Sequence, residues 1–155
     1  VRAAFDLDGT LVHHGGQAPL YDDPLWLLEH SRPHEAAVER VRGLLQAGAE
    51  VHVITGRGRH ARLVTLATLG ELFGTFPPER LHVSPHDKGQ FPGYDGLRAR
   101  KASVLNEIQP DFYVGDHDEA DAGAAHDAGV PFLGAAEFQA GAELPAQPMP
   151  LLGVM

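Results

Sequence analysis

Two aspartates, Asp6 and Asp8, close a short apolar run, Ala3-Ala4-Phe5, and are followed at once by Gly9, Thr10 and Leu11. A buried strand that stops at this point delivers both carboxylates to the edge of a sheet, and the glycine lets the backbone turn sharply and present its N–H groups. That is the outline of a phosphate and metal site. By itself, the same spacing also describes a strand end running into an acidic turn. The rest of the chain bears on the choice. Glu50 to Ile54 is apolar enough for a strand and ends in Thr55-Gly56-Arg57-Gly58, while Phe112 to Gly115 ends in Asp116-His117-Asp118-Glu119, with Asp121 close behind. Three strand ends therefore carry polar groups, far apart in sequence and able to meet at one edge.

The elements that must position these groups are legible from periodicity. Apolar residues recur at helical spacing over His34 to Leu45 (Ala37, Val38, Val41, Leu44, Leu45), and a turn at Ala47-Gly48-Ala49 ends that segment. A second helix is predicted over His60 to Phe73, with Leu63, Leu66, Ala67, Leu69 and Leu72 inward, and Leu81 to Val83 is a short strand. A third helix is predicted from about Leu97 to Ile108, stopping before Pro110. A fourth runs through Ala122 to Ala128, and Val130 to Leu133 is the last strand. Val12 to Pro24 reads as an irregular loop or flap, Leu25 to Leu28 with Trp26 as an apolar cluster packed on the domain, and Ser84 to Gly96 as a loop. Gly134 to Met155, with Pro145, Pro148 and Pro150, reads as an extended tail whose apolar end packs on the domain. Alternation of strand and helix predicts an α/β fold, a three-layer sandwich around a parallel sheet, with ligands beyond the carboxyl ends of the strands.

Composition bounds the reading. The 155 residues, 43% of them hydrophobic, suffice for one domain, with a core from about 3 to 134 and a tail from 135 to 155. There is no cysteine, which excludes disulfides and thiolate metal sites and fits a reducing, cytoplasmic setting. No apolar run reaches membrane-spanning length, so no membrane partner is expected. A formal net charge of −9 argues against broad attraction to nucleic acid or anionic lipid. The oligomeric state stays open.

In its motifs the chain resembles the haloacid dehalogenase superfamily, over about Ala3 to Leu133. The first motif stands as Asp6-Leu7-Asp8-Gly9-Thr10-Leu11, the second as Val53-Ile54-Thr55-Gly56-Arg57, the third as a lysine at a helix start, matched by Lys101, and the fourth as Gly115-Asp116 with Asp121. The resemblance implies a five-stranded parallel sheet in the order third, second, first, fourth, fifth, and an aspartyl-phosphate on Asp6. Asp8 would then act as general acid and base, with Mg²⁺ on Asp6, Asp116 and the backbone of Asp8, and Asp121 bound directly or through water. Lys101 and Thr55 would orient the phosphoryl oxygens, with Gly9, Thr10 and Gly56 at the phosphate; Arg57 faces either substrate or solvent. Lys88 competes with Lys101 for the lysine position and Asp118 with Asp121 for the second acid, while His117 and the other histidines read as structural or surface groups.

A second acid at Asp8 points to a phosphomonoesterase, because relatives that lack it carry out other chemistry. Neither Val12 to Gly48 nor Gly56 to Arg100 is long enough for a cap domain. The expected activity is Mg²⁺-dependent hydrolysis of a small phosphorylated substrate, a nucleotide among the candidates. A weaker likeness to the phosphatase domain of polynucleotide kinase makes a 3′-phosphorylated nucleic acid end the alternative partner. A non-catalytic binding module would require a broken acid set, and every acid is present.

Overall fold

The computed structural model describes residues 1–145. Its centre is β1, Arg2–Phe5, where Ala3, Ala4 and Phe5 are buried and no polar side chain interrupts them. A strand so apolar can be covered on both faces, and it is. β1 pairs in parallel with β4, Glu50–Ile54, on one side and with β6, Phe112–Gly115, on the other. β5, Leu81–His82, and β7, Phe132–Gly134, extend the sheet outward, also in parallel, so that the order is β5-β4-β1-β6-β7. With the small antiparallel pair of β2, Val12–His13, and β3, Arg32–Pro33, set aside, this is the expected order.

Side chains alternate across the sheet with the two-residue period of a strand. Ala3, Phe5, Val51, Val53, Phe112 and Val114 enter one core, under α2, Glu35–Gln46, α3, Arg62–Phe73, and α6, Ala135–Gln139. Ala4, Ile54 and Tyr113 enter the other, under α4, Gly93–Ile108, and α5, Ala124–Ala128. The result is the expected three-layer sandwich. No domain is inserted between its strands among the described residues.

Several local expectations are corrected. Residues 25–28 belong to α1, Pro24–His30, whose start is capped by the Asp23 carboxylate accepting from Trp26 N. Only Leu27 of that cluster is buried; Trp26 stacks on His30 with ring centroids 4.3 Å apart. In α3, Leu63 is 81% exposed and Ala67 is exposed, while Thr65 and Thr68 go inward. Their hydroxyls find partners in Arg57 and the Val64 carbonyl, so burying them leaves no polar group unpaired. α4 begins four residues before the expected Leu97, which puts Lys101 two turns inside the helix rather than at its start. Part of the presumed tail is the helix α6, and its Phe138 is fully buried against Phe5 at 5.2 Å between rings. Pro148, Pro150 and the apolar end of the tail lie outside the described residues.

Candidate active site

The strands of the parallel sheet end at a common edge, and the polar groups predicted there meet. Backbone pairing runs one residue past β1, Asp6 N donating to Val114 O at 2.8 Å, so Asp6 is set beside the end of β6. Lys101, reaching down from α4, donates to Asp6 Oδ1 at 2.9 Å and to Asp121 Oδ1 at 2.6 Å. Tyr113 O–H donates to the same Asp121 oxygen at 2.6 Å, and the other oxygen accepts from the backbone N–H groups of Asp116 and His117 at 3.2 and 3.1 Å. Asp121 is thus an anchor with both oxygens occupied. It sits on a π-helical turn, Asp118–Gly123, and comes so close to β6 that a Cβ on Gly115 would stand 2.5 Å from its own. Gly9 is constrained in the same way: its φ is +81°, and a Cβ there would overlap Asp116 Oδ2. Glycine at these two positions lets the acids crowd together.

Oxygens of Asp6, Asp116 and Asp121 lie within 4.8 Å of one another. Three carboxylates face one lysine, leaving negative charge without a counter-ion. Burial, and then Asp121, push the Asp6 carboxyl well above its ordinary range, and burial also raises Asp116. Burial works against the charge on Lys101, but Asp6 and Asp121 outweigh it and raise its pKa. Hard oxygen donors with excess negative charge at a cavity fit a divalent cation such as Mg²⁺. Among the described residues this is the one such group of acids and histidines.

Asp8 is held differently. Arg57, 2% exposed, grips it with two hydrogen bonds, Nε to Oδ2 at 3.0 Å and Nη2 to Oδ1 at 2.7 Å. The guanidinium is itself fixed by Ser31 Oγ at 2.8 Å and Thr65 Oγ1 at 3.1 Å, and His14 Nε2 stands 3.1 Å from Asp8 Oδ1. Burial pushes Asp8 upward, but Arg57 and then His14 prevail and hold its carboxyl at about 2. Arg57 is thus shut off from bulk solvent and its donors are used by protein groups, although it lines the cavity beside Asp8.

The other expected contacts divide. Thr10 is fully buried and its hydroxyl donates to Asp6 Oδ2 at 3.3 Å, making it a support for Asp6 outside the cavity wall. Gly9 N–H is already given to Val12 O at 2.8 Å, so it is not free for phosphate. Thr55 is buried, its hydroxyl accepting from Arg57 N at 3.1 Å, whereas Gly56 lines the cavity. Lys88 and Asp118 are exposed and outside the acid cluster. His117 accepts from Ala120 N through Nδ1 and stacks on Tyr94, and both line the cavity. Tyr113 was missed by sequence reasoning, although a phenol in a strand buried on both faces needs a polar partner and could have been marked for it. His14 and Ser31 carried no such signal.

The cavity has a volume of about 470 Å³, with Asp6, Asp8, Lys101, Asp116 and Asp121 among its lining residues. No family model matches the chain, and no curated protein matches it. Solved structures do. A chain of the Pnkp1/Rnl/Hen1 complex superposes with a TM-score of 0.66 at 19% identity, over 86% of this chain and 45% of that one, so the chain spans less than half its length. An uncharacterized protein from Listeria monocytogenes serotype 4b gives 0.61 at 21% identity, over 86% and 76% of the two chains. D,D-heptose 1,7-bisphosphate phosphatase from B. bronchiseptica, complexed with magnesium and phosphate, gives 0.55 at 18%, over 94% and 89%. At such identities the likeness is one of fold. The chain has the fold of the haloacid dehalogenase superfamily, in a small form with no cap domain among the described residues.

Proposed function

We propose that the protein is a Mg²⁺-dependent phosphomonoesterase that works through an aspartyl-phosphate on Asp6, with a small phosphorylated substrate. The observation that carries this reading is the convergence of Asp6, Asp116 and Asp121 around Lys101 at the floor of an open cavity. A divalent cation held by Asp6 and Asp116, with Asp121 beside it, would supply the charge neutralisation that phosphoryl transfer to a carboxylate requires. Lys101 and Thr10 fix the Asp6 carboxylate by its two oxygens, which leaves one orientation for attack on phosphorus. The buried Lys101 ammonium offsets charge on the transferring group.

Asp8 serves the proton transfers. As held by Arg57 it is a carboxylate at any ordinary pH, the form that can accept a proton from the water that hydrolyses the acyl phosphate, but only a weak base until its pKa is raised. Donating a proton to the leaving alkoxide requires the carboxyl to be raised first. A phosphate dianion bound beside it acts in that direction, as does any shift that takes Arg57 away.

The test is phosphate release from a panel of sugar phosphates, mononucleotides, phosphoamino acids and a 3′-phosphorylated oligonucleotide, with Mg²⁺ and with chelator. Chelator-sensitive release that vanishes in Asp6→Asn is expected. Release that persists in Asp6→Asn contradicts the mechanism. Likeness to a chain of an RNA repair complex, with a TM-score of 0.65 at 19% identity, is the observation favouring a second reading, a nucleic acid 3′-phosphatase. Release from the oligonucleotide that exceeds release from mononucleotides and falls with salt would select it.

A further inference from the structure

The mouth of the cavity carries rings that the phosphoryl chemistry does not use. Phe91 and Tyr94 are 55% and 51% exposed yet line the same cavity as Asp6. Tyr94 lies nearly parallel to His117, at 4.1 Å and 16°, and Phe91 meets Tyr94 edge-on at 5.6 Å. His86 stands edge-on to Phe91 at 6.1 Å. Exposed aromatic side chains held against one another at the rim of a charged pocket form a platform on which a planar ring can stack.

The reach of the platform follows from the helix. Tyr94, Leu97 and Lys101 all line the cavity and are spaced i, i+3, i+7 on α4, so they form one stripe on one face. Tyr94 is two turns from Lys101, about 10 Å along the axis, and Lys101 is hydrogen-bonded to Asp6. A ring bonded directly to the phosphate oxygen stays near the Lys101 end of this stripe, away from the platform. A ring carried by a sugar reaches it, with apolar Leu97 between.

Charge limits what else the ligand carries. The lining holds five carboxylates, Asp6, Asp8, Asp22, Asp116 and Asp121, against Arg57 and Lys101, both already paired with aspartates. A second phosphate meets no cation in this wall. Resting on the phosphatase reading, we propose that Phe91 and Tyr94 form a stacking platform for the nucleobase of a nucleoside monophosphate, and that they select it over sugar phosphates and polyphosphorylated chains.

Two measurements on the wild type and the Phe91→Ala/Tyr94→Ala double variant test this, the exposed positions leaving the core intact. The first compares kcat/KM for adenosine monophosphate (3′ and 5′ isomers), ribose 5-phosphate, phenyl phosphate and a 3′-phosphorylated oligonucleotide. The wild type is expected to prefer one adenosine isomer by at least about tenfold, the variant to lose most of that preference through KM. The second is calorimetric binding of adenosine monophosphate to Asp6→Asn protein with and without the two alanines, which needs no turnover. A Kd raised at least about fivefold by the alanines supports the platform even if no substrate is hydrolysed, an outcome that would fell only the phosphatase reading. An unchanged Kd, equal use of ribose 5-phosphate and nucleotide, or a preference for phenyl phosphate or the oligonucleotide overturns the proposal.

Discussion

Asp6 and Asp8 are separated by one residue on one turn, yet they stand in opposite electrostatic conditions. Asp6 shares its surroundings with two more carboxylates and one lysine, and burial and Asp121 drive its pKa up. Asp8 has a guanidinium to itself, doubly bonded and buried, and is held at about 2. Equal side chains at nearly equal depth therefore differ because their partners differ. The cluster around Asp6 is short of positive charge and suits a group that meets a cation and a phosphate. The pair at Asp8 is complete in itself, and on the proposed mechanism it keeps Asp8 apart from the phosphate until a proton is moved.

Removing one member breaks the comparison most severely. Asp6→Asn takes away the proposed nucleophile, and kcat is expected to fall by at least about 10³-fold, while the melting temperature in chelator is not lowered because a carboxyl already pushed up by burial is lost. A folded variant with wild-type turnover would refute the role of Asp6. Arg57→Met strands Asp8 in the interior without its partner, and a loss of about 3 kcal/mol is expected from denaturant unfolding, as for other broken buried pairs; Ser31 and Thr65 also lose a donor. Retained stability would mean that Asp8 turns out to solvent and that the pair is not needed for the fold.

Titration sharpens the same contrast. Asp8, depressed in the folded state, contributes about 2 kcal/mol that is present above its unfolded value and lost as pH falls through about 2. Asp6, raised in the folded state, does the opposite: its contribution is full below the ordinary carboxylate range and is lost as pH rises. In chelator, Asp8→Asn should flatten the acid limb of the stability curve, and Asp6→Asn should remove part of the decline toward neutral pH. The smallest effect lies away from the site. His82, lowered to about 4 by burial and then by His52, binds no proton in the fold where the unfolded chain does. His82→Gln should weaken the loss of stability between pH 6.5 and 4.

Much of this was legible because it was local. The apolar run before Asp6, the strand into Thr55 and the strand into Asp116 have plain periodicity, and the alternation of strand and helix predicts the parallel sheet that gathers their ends. What stayed hidden depends on contacts between distant segments. Nothing near Arg57 in the sequence says that its partner is Asp8, since that pairing needs β1 and β4 to be neighbours and α1 to bring Ser31 over them. The start of α4 is hidden because Gly93 and Gly96 weigh against helix, yet Leu97 packs inward and both glycines sit in the first turn, where the penalty is small. α6 is five residues long, too short for periodicity to register, and it is held by Phe138 against the sheet.

The central claim is that Asp6 becomes phosphorylated, and trapping that bond tests it directly. Wild-type protein is mixed with a substrate found in the panel and Mg²⁺, quenched in acid and treated with borohydride, which reduces an acyl phosphate, and the peptide containing residues 3–11 is analysed by mass spectrometry. Reduction at Asp6, dependent on substrate and absent from Asp8, is the predicted result. Turnover without any modification of Asp6, or modification at another carboxylate, would contradict the account.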